Sequence, residues 1–395
     1  MRLIFLNRFY WPEEPATAQL LTDLAEALAA AGHEVTIITS RPRHTILPQR
    51  DAHHGVTILR AGGTRWARLG LPGKAVDFAT FYLSALWRLA FTAQRGDTVI
   101  TLTDPPLIGI GAWLTAQLCG ARIFHWVQDV YPEIAAVLTG QSWLRVVQPL
   151  RDLAWRRSDG CVTLGTDMAG TLAQAGVPAS KILVSPNWAP AGLMPQPPSA
   201  ANSLRGAWQL EGKFVVAYSG NLGRVHDLGP VLDVAEALRD EPAIAFVFIG
   251  AGAQRSRLEA QAAARGLTHV QFHPSQPRAR LAESLALGDV HLVTLLPGCE
   301  SLVFPSKLYG VAAVGRPVIF IGPRGGEIAR LVETQGFGRA FARDEIAAIA
   351  AAIRELRAQP RQVAQLGAAA GAFSRGHSGP ARAAAEWEQR LAAAD

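Results

Sequence analysis

The sequence predicts an α/β chain made of two consecutive doubly wound halves. Three observations predict it. Short apolar runs alternate with amphipathic helical stretches in both halves. A proline-rich, uncharged stretch separates the two series. Acidic residues and glycine turns fall just past strand ends, where open parallel sheets hold their ligands. With 395 residues, 49% hydrophobic and 18% charged, the chain can build two domains with sizeable cores.

In the first half, Leu3-Ile4-Phe5-Leu6 reads as a buried parallel strand. A polar, proline-bearing loop follows. Gln19 to Ala31 then carries Leu20, Leu21, Leu24 and Leu28 on one helical face and stops at Gly32. Val35–Thr39, Val56–Leu59, Thr98–Thr101 and Arg122–Val127 read as further strands, with helices over Phe78–Gln94 and Leu107–Cys119. Gly160–Leu164 and Ile182–Ser185 read as the last strands of this sheet. Asp104, Asp129 and Glu133 each lie just past a strand end, so they are candidates to orient a substrate. Acidic residues at such positions also serve simply as helix N-caps.

Trp143–Arg157 reads WLRVVQPLRDLAWRR and sets Trp, Leu and Val beside Arg145, Arg151, Arg156 and Arg157. With Phe78–Arg95 it is expected to form either a basic amphipathic surface for an anionic bilayer or core-packed helices with solvated arginines.

Residues 191–203, within the run Pro186–Ser203, read as a linker, which gives domains of 1–190 and 204–377. The second series opens with the strand Phe214–Tyr218 and the turn Ser219-Gly220-Asn221-Leu222-Gly223-Arg224, before a helix over Pro230–Arg239. A glycine turn of this kind lets backbone N–H groups approach an anion. Strands follow at Ala245–Ile249, Val270–His273 and Val290–Leu296. Phe304-Pro305-Ser306-Lys307 then enters a helix, with Ser306 as the expected N-cap; Gly315 ends it before the strand Pro317–Ile321. That helix start with Lys307 is a second anion site, or else an ordinary helix start with a solvated lysine. Two anion sites in one half point to a diphosphate. Pro380–Ala394 reads as an alanine-rich final helix bearing Trp387.

Lys and Arg outnumber Asp and Glu by 38 to 32, a net charge of +6. This suits phosphorylated ligands or an anionic membrane surface and is too weak an excess to argue for nucleic acid. Cys119, Cys161 and Cys299 show no metal spacing and fit a reducing cytoplasm. MRLIFLNRFYWP does not read as a signal peptide, and no run of apolar residues is long enough to predict a membrane span.

The order of motifs resembles the family 4 retaining glycosyltransferases of the GT-B fold, in the branch of colanic acid, exopolysaccharide and O-antigen biosynthesis. The residues that carry the resemblance are Leu20–Leu28 with Gly32-His33-Glu34-Val35, Thr103-Asp104-Pro105-Pro106, Val127–Glu133, Pro186-Asn187-Trp188, Tyr218–Gly223, Phe304–Lys307 and Gly326–Val332. They span nearly the whole chain. The resemblance implies two Rossmann-like domains facing a central cleft, with the acceptor on the first and the donor on the second. It also implies that residues 378–395 return to the first domain.

Three departures bear on the site. The family's Glu-x7-Glu pair falls on Leu302 and Gly310, leaving Glu300 and Glu327 as the nearby carboxylates for sugar and ribose. His226 and Asp227 stand where a lysine often follows Arg224, so Lys307 is the main ammonium. Gln128 replaces the usual histidine before Asp129.

The resemblance implies transfer from a nucleotide diphosphate sugar, UDP-linked, to a lipid-linked or saccharide acceptor; the chain is expected in the cytoplasm, on the inner face of the plasma membrane if the basic aromatic stretch meets lipid. No metal or other cofactor is expected. Gly220, Asn221, Leu222, Gly223, Arg224, Ser306 and Lys307 are the expected diphosphate ligands, and Asp129, Glu133 or Asp104 the group that orients the acceptor. Two other readings stay open: a UDP-sugar 2-epimerase on the same fold, and a non-catalytic subunit of a polysaccharide-assembly complex.

Overall fold

The computed structural model describes residues 1–42, 46–64, 66, 70–197, 202–377 and 379–393. The chain divides into two compact units. The first comprises Met1–Asn187, Ser301–Val303 and Gly379–Asp395; the second comprises Trp188–Glu300 and Phe304–Ser378.

The first unit is built on an eight-stranded sheet. In chain order its strands are β1 (Arg2–Leu6), β2 (Glu34–Ser40), β3 (Arg50–His53), β4 (Val56–Ala61), β5 (Thr98–Thr101), β6 (Arg122–Val127), β7 (Gly160–Thr163) and β8 (Ile182–Val184). They lie in the order β3-β4-β2-β1-β5-β6-β7-β8. All pairings are parallel except that of β3 with β4. The parallel strands are near-continuous apolar runs because helices cover both faces; Leu3 to Leu6, for instance, are buried. Leu6 pairs with Thr101, and Thr101 with His125, so β1 and β5 end level and β6 runs two residues further in the same direction. Arg8, Asp104 and Asp129 therefore emerge along one edge of the sheet. The last helix, Pro380–Ala392, packs on this unit: Trp387 meets Trp126 edge-on at 5.2 Å, and Glu388 reaches His33 at 2.7 Å.

The second unit carries six parallel strands: β9 (Phe214–Ser219), β10 (Ile244–Ile249), β11 (Val270–His273), β12 (Val290–Thr294), β13 (Val318–Ile321) and β14 (Gly338–Phe341). Their order is β11-β10-β9-β12-β13-β14. This is the doubly wound order with its switch point between β9 and β12, where such sheets bind nucleotides.

Three sequence expectations need correction. Trp143–Arg157 is not one helix: a 3-10 turn over Ser142–Val147 hands over to the helix Gln148–Arg157, whose first turn holds Pro149. Proline lacks the N–H that would continue the preceding turn. Within the stretch expected as a linker, Gln196 and Pro197 are strapped to the second unit: Arg316 donates to the Gln196 carbonyl at 3.2 Å and the Pro197 carbonyl at 2.6 Å. A helix already begins at Ser203, capped by Asn202; residues 198–201 lie outside the described residues. The helix expected from Phe78 starts at Leu71, with Pro72 in its first turn.

Candidate functional site

In the second unit the site grows from the end of β9. The glycine turn lies backbone-to-backbone on the turn that follows β10. A Cβ on Gly250 would sit 2.1 Å from the Gly220 carbonyl oxygen, and one on Gly252 would sit 2.5 Å from the Leu222 backbone. Only glycine permits that approach, and Gly220, Gly250 and Gly252 all take positive φ. Gln254 latches the arrangement, its amide donating to the Gly223 and His226 carbonyls at 2.6 and 2.8 Å.

This close packing corrects part of the expected anion cradle. The N–H groups of Gly220 and Leu222 already donate to the Ile249 and Ala251 carbonyls. Among the described residues nothing takes those of Asn221 and Gly223, so two N–H donors remain rather than four.

Lys307 opens the short helix Lys307–Ala313 and reaches back over this turn. Its stem lies against Gly220, its ammonium is 3.7 Å from the Tyr218 ring centroid, and it donates to the Tyr218 hydroxyl. The Tyr218 hydroxyl donates to the Asn221 carbonyl at 2.9 Å. Burial holds the Lys307 ammonium well below the usual lysine value. His226 lies beside this group, its Nδ1 at 2.9 Å from the Thr294 carbonyl. Burial, then the neighbouring Lys307, push His226 down to about 3, so the imidazole stays neutral. Among the described residues no carboxylate pairs with this lysine, so an anionic ligand bound beside it would restore its charge.

The other expected donor residues are placed as follows. Arg224 is exposed. Ser306 makes no side-chain cap bond, contrary to expectation, because it already has helical dihedrals. Glu300 accepts the Gly298 N–H at 2.7 Å and lies against Gly326, next to Glu327. Glu327 starts the helix Glu327–Thr334; burial raises the Tyr309 hydroxyl, and the Glu327 charge adds to it. Position 310 faces inward: a Cβ on Gly310 would meet Leu285 at 3.3 Å. Tyr218, His226 and Gln254 were not singled out from the sequence as ligand-site residues. Their one sequence signal is that they flank glycines just past β9 and β10.

In the first unit Asp104 and Asp129 follow neighbouring strands, β5 and β6. Burial pushes Asp129 up to about 7, with the Asp104 charge adding to it. Burial likewise lifts Asp104 to about 6 against the pull of Arg8. Arg8 donates its backbone N–H to the Asp104 carbonyl at 2.8 Å and stacks its guanidinium on Phe9 and Phe78. The Asp129 N–H donates to Thr103 Oγ1 at 3.2 Å, and the Val130 N–H to the Leu302 carbonyl at 2.8 Å. Two adjacent carboxyls lifted toward neutrality form a group able to exchange a proton near pH 7.

Glu133 differs. It is buried and forked on Arg151, at 2.9 and 2.6 Å. Arg151 also donates to the Tyr131 carbonyl at 2.6 Å and lies 3.8 Å over Trp155. This overturns the expectation that Arg151 is a surface arginine, and it leaves the Glu133 carboxylate committed to a structural pair. Gln128 likewise pairs amide-to-amide with Asn187 at 3.3 Å.

Elsewhere on this unit, three elements packed in series, with the helix Ile108–Cys119 in the middle, leave large apolar side chains in the open. They are Leu83, Trp87 and Phe91 on the helix Leu71–Thr92, Leu114 and Leu118 on Ile108–Cys119, and Trp143, Val146 and Leu150 on the Ser142–Arg157 stretch. Arg95, Arg145, Arg156 and Arg157 are exposed on or beside the same elements. No helix among the described residues is long and apolar enough to cross a membrane.

Comparison with known proteins covers both units. The glycosyl transferase 4-like domain matches residues 17–188, and the glycosyl transferases group 1 domain matches residues 202–372. A protein of Escherichia coli (strain K12) named as a colanic acid biosynthesis glycosyl transferase, WcaI, is 29% identical over 91% of this chain and 93% of its own. The probable glycosyltransferase WbjE of Pseudomonas aeruginosa is 31% identical over 69% of this chain and 68% of its own. The structure of Anabaena Alr3699/HepE in complex with UDP-glucose superposes with a TM-score of 0.76 over the whole of both chains, at 16% identity. The chain therefore belongs to the glycosyltransferases that join a 4-like domain to a group 1 domain, on the GT-B fold.

Proposed function

We propose that the chain moves a sugar from a UDP-sugar onto a saccharide or lipid-linked acceptor of a cell-surface polysaccharide, with retention and without a metal ion. The observation that carries this is Lys307, whose buried ammonium has no carboxylate partner among the described residues and lies against the glycine turn at the switch point of the second sheet. The relatives support it: one is named for colanic acid biosynthesis, and a protein of the same fold was solved with UDP-glucose.

In this reading Lys307, Arg224, Ser306 and the N–H groups of Asn221 and Gly223 receive the charge that develops on the departing diphosphate. Glu300 and Glu327 accept hydrogen bonds from sugar and ribose hydroxyls. The bond from the anomeric carbon to the diphosphate oxygen breaks, and a bond to the acceptor oxygen forms on the same face. The acceptor proton passes to the departing diphosphate. No carboxylate nucleophile is required, unlike in a retaining glycosidase. Asp129, with Asp104 beside it, orients the acceptor hydroxyl, while Glu133 keeps a supporting part by fixing Arg151. The exposed apolar face of the first unit, ringed by arginines, rests on an anionic bilayer, the inner face of the plasma membrane.

Proton NMR of the protein with a panel of UDP-sugars, with and without saccharide acceptors, tests the reaction. The expected result is equimolar UDP and a sugar product that keeps the donor's anomeric configuration. Inversion overturns retention, epimerised UDP-sugar without UDP release replaces the reading with a 2-epimerase, and an inert protein across the panel favours a non-catalytic subunit.

A further inference from the structure

We infer that the first unit carries a divalent transition-metal site, formed by Glu26, His53 and His54, that staples its N-terminal helix to the edge hairpin of the sheet. It lies in the other unit from the proposed diphosphate ligands and rests on none of that chemistry.

The site is set by local sequence. Glu26 projects from the helix Ala16–Ala30. β3 and β4 are joined by His54-Gly55, with φ of 44 and 81. Two consecutive positive φ values make the tight hairpin turn that suits twisted strands. The turn brings His53, the last residue of β3, and His54 side by side over the helix. Their rings stack at 4.1 Å and 17°. Both imidazoles aim at one carboxylate: His53 Nε2 is 3.4 Å from Glu26 Oε1, and His54 Nδ1 is 3.0 Å from Glu26 Oε2.

A tetrahedral zinc with nitrogen and oxygen ligands about 2.0–2.2 Å away holds its donors about 3.4 Å from one another. The two imidazole–carboxylate separations already have that scale, and all three donor atoms lie within 4.8 Å of one another. Among the described residues this is the one group of three or more His, Cys, Asp or Glu side chains so disposed. Two imidazoles and one carboxylate leave the fourth position to water.

The surroundings suit a structural ion. The Trp11 indole stacks on the His53 ring at 3.8 Å and 14°, closing one side. β3 is a four-residue edge strand with β4 as its sole strand partner, so a link to the helix adds a constraint that the sheet lacks.

Calorimetric titration of zinc into the chelator-stripped full chain tests this, with melting temperature as a second readout. About one zinc per chain is expected, with a rise in melting temperature. His54→Gly suits the positive φ and keeps the fold, so it should weaken zinc at least about tenfold and remove the thermal gain. Glu26→Gln should do the same. UDP affinity, measured in parallel, should not change in either variant, so failure here leaves the donor reading standing. Absence of zinc binding, or zinc binding and stabilisation unchanged in both variants, overturns the site.

Discussion

At the scale of single residues the account turns on two titratable groups held away from their ordinary values. Asp129, ordinarily near 3.8, is pushed up to about 7. Between those values the folded protein keeps the proton and the unfolded chain releases it, so this group's contribution is full at low pH and declines as pH rises through that window. Asp129→Asn should flatten that decline and melt no lower than wild type at pH 8. Transfer should fall at least about 100-fold, the scale of a lost proton-transfer or orienting group. A variant that melts lower at pH 8 and transfers normally would make Asp129 a structural residue. Asp129 and Lys307 were visible in the sequence because each follows a strand end at a position a ligand can reach. The Glu133–Arg151 pair was not, since its partners are 18 residues apart and meet only through the packing of two helices. Nor could local sequence show that carbonyls at and just past the end of β10 occupy two of the N–H groups after β9.

At the scale of elements, the parallel strands were legible because burial on both faces leaves uninterrupted apolar runs. β3 was not: RDAH is a short, polar edge strand without the alternation that marks a strand. The basic aromatic stretch was read as one helix, but Pro149 divides it, and Arg151 turns inward to Glu133. What remains outside is an apolar face spread over three elements rather than one amphipathic helix. On the proposed reading this face meets lipid, with the exposed arginines adding about 1 kcal/mol each near an anionic surface. Arg145, Arg156 and Arg157 changed together to Gln should weaken co-sedimentation with anionic vesicles about 100-fold at low salt. Trp87 and Trp143 changed together to Ser should weaken it at any salt. Equal co-sedimentation of all three proteins would assign the face to another partner.

At the scale of the whole molecule, both sheets follow the same winding, which the alternation of elements anticipated. The chain's division did not follow local composition. Ser301–Val303 group with the first unit through the Asp129–Val303 bridge and the Leu302 carbonyl, although the residues on either side belong to the second. No run of residues announces such a pairing, because it depends on which strand end the segment meets. The central claim concerns the second unit: that its glycine turn and Lys307 bind the diphosphate of a nucleotide sugar. Burial depresses Lys307 in the empty protein, and a bound diphosphate would restore its charge, so binding should take up a proton and weaken as pH rises. The direct test is calorimetric titration of UDP into wild type and Lys307→Ala, in buffers of different ionisation enthalpy. The account predicts proton uptake in wild type, and in the variant a loss of about 1.5–3 kcal/mol together with the uptake. Equal affinity and equal proton balance in the two proteins would contradict it.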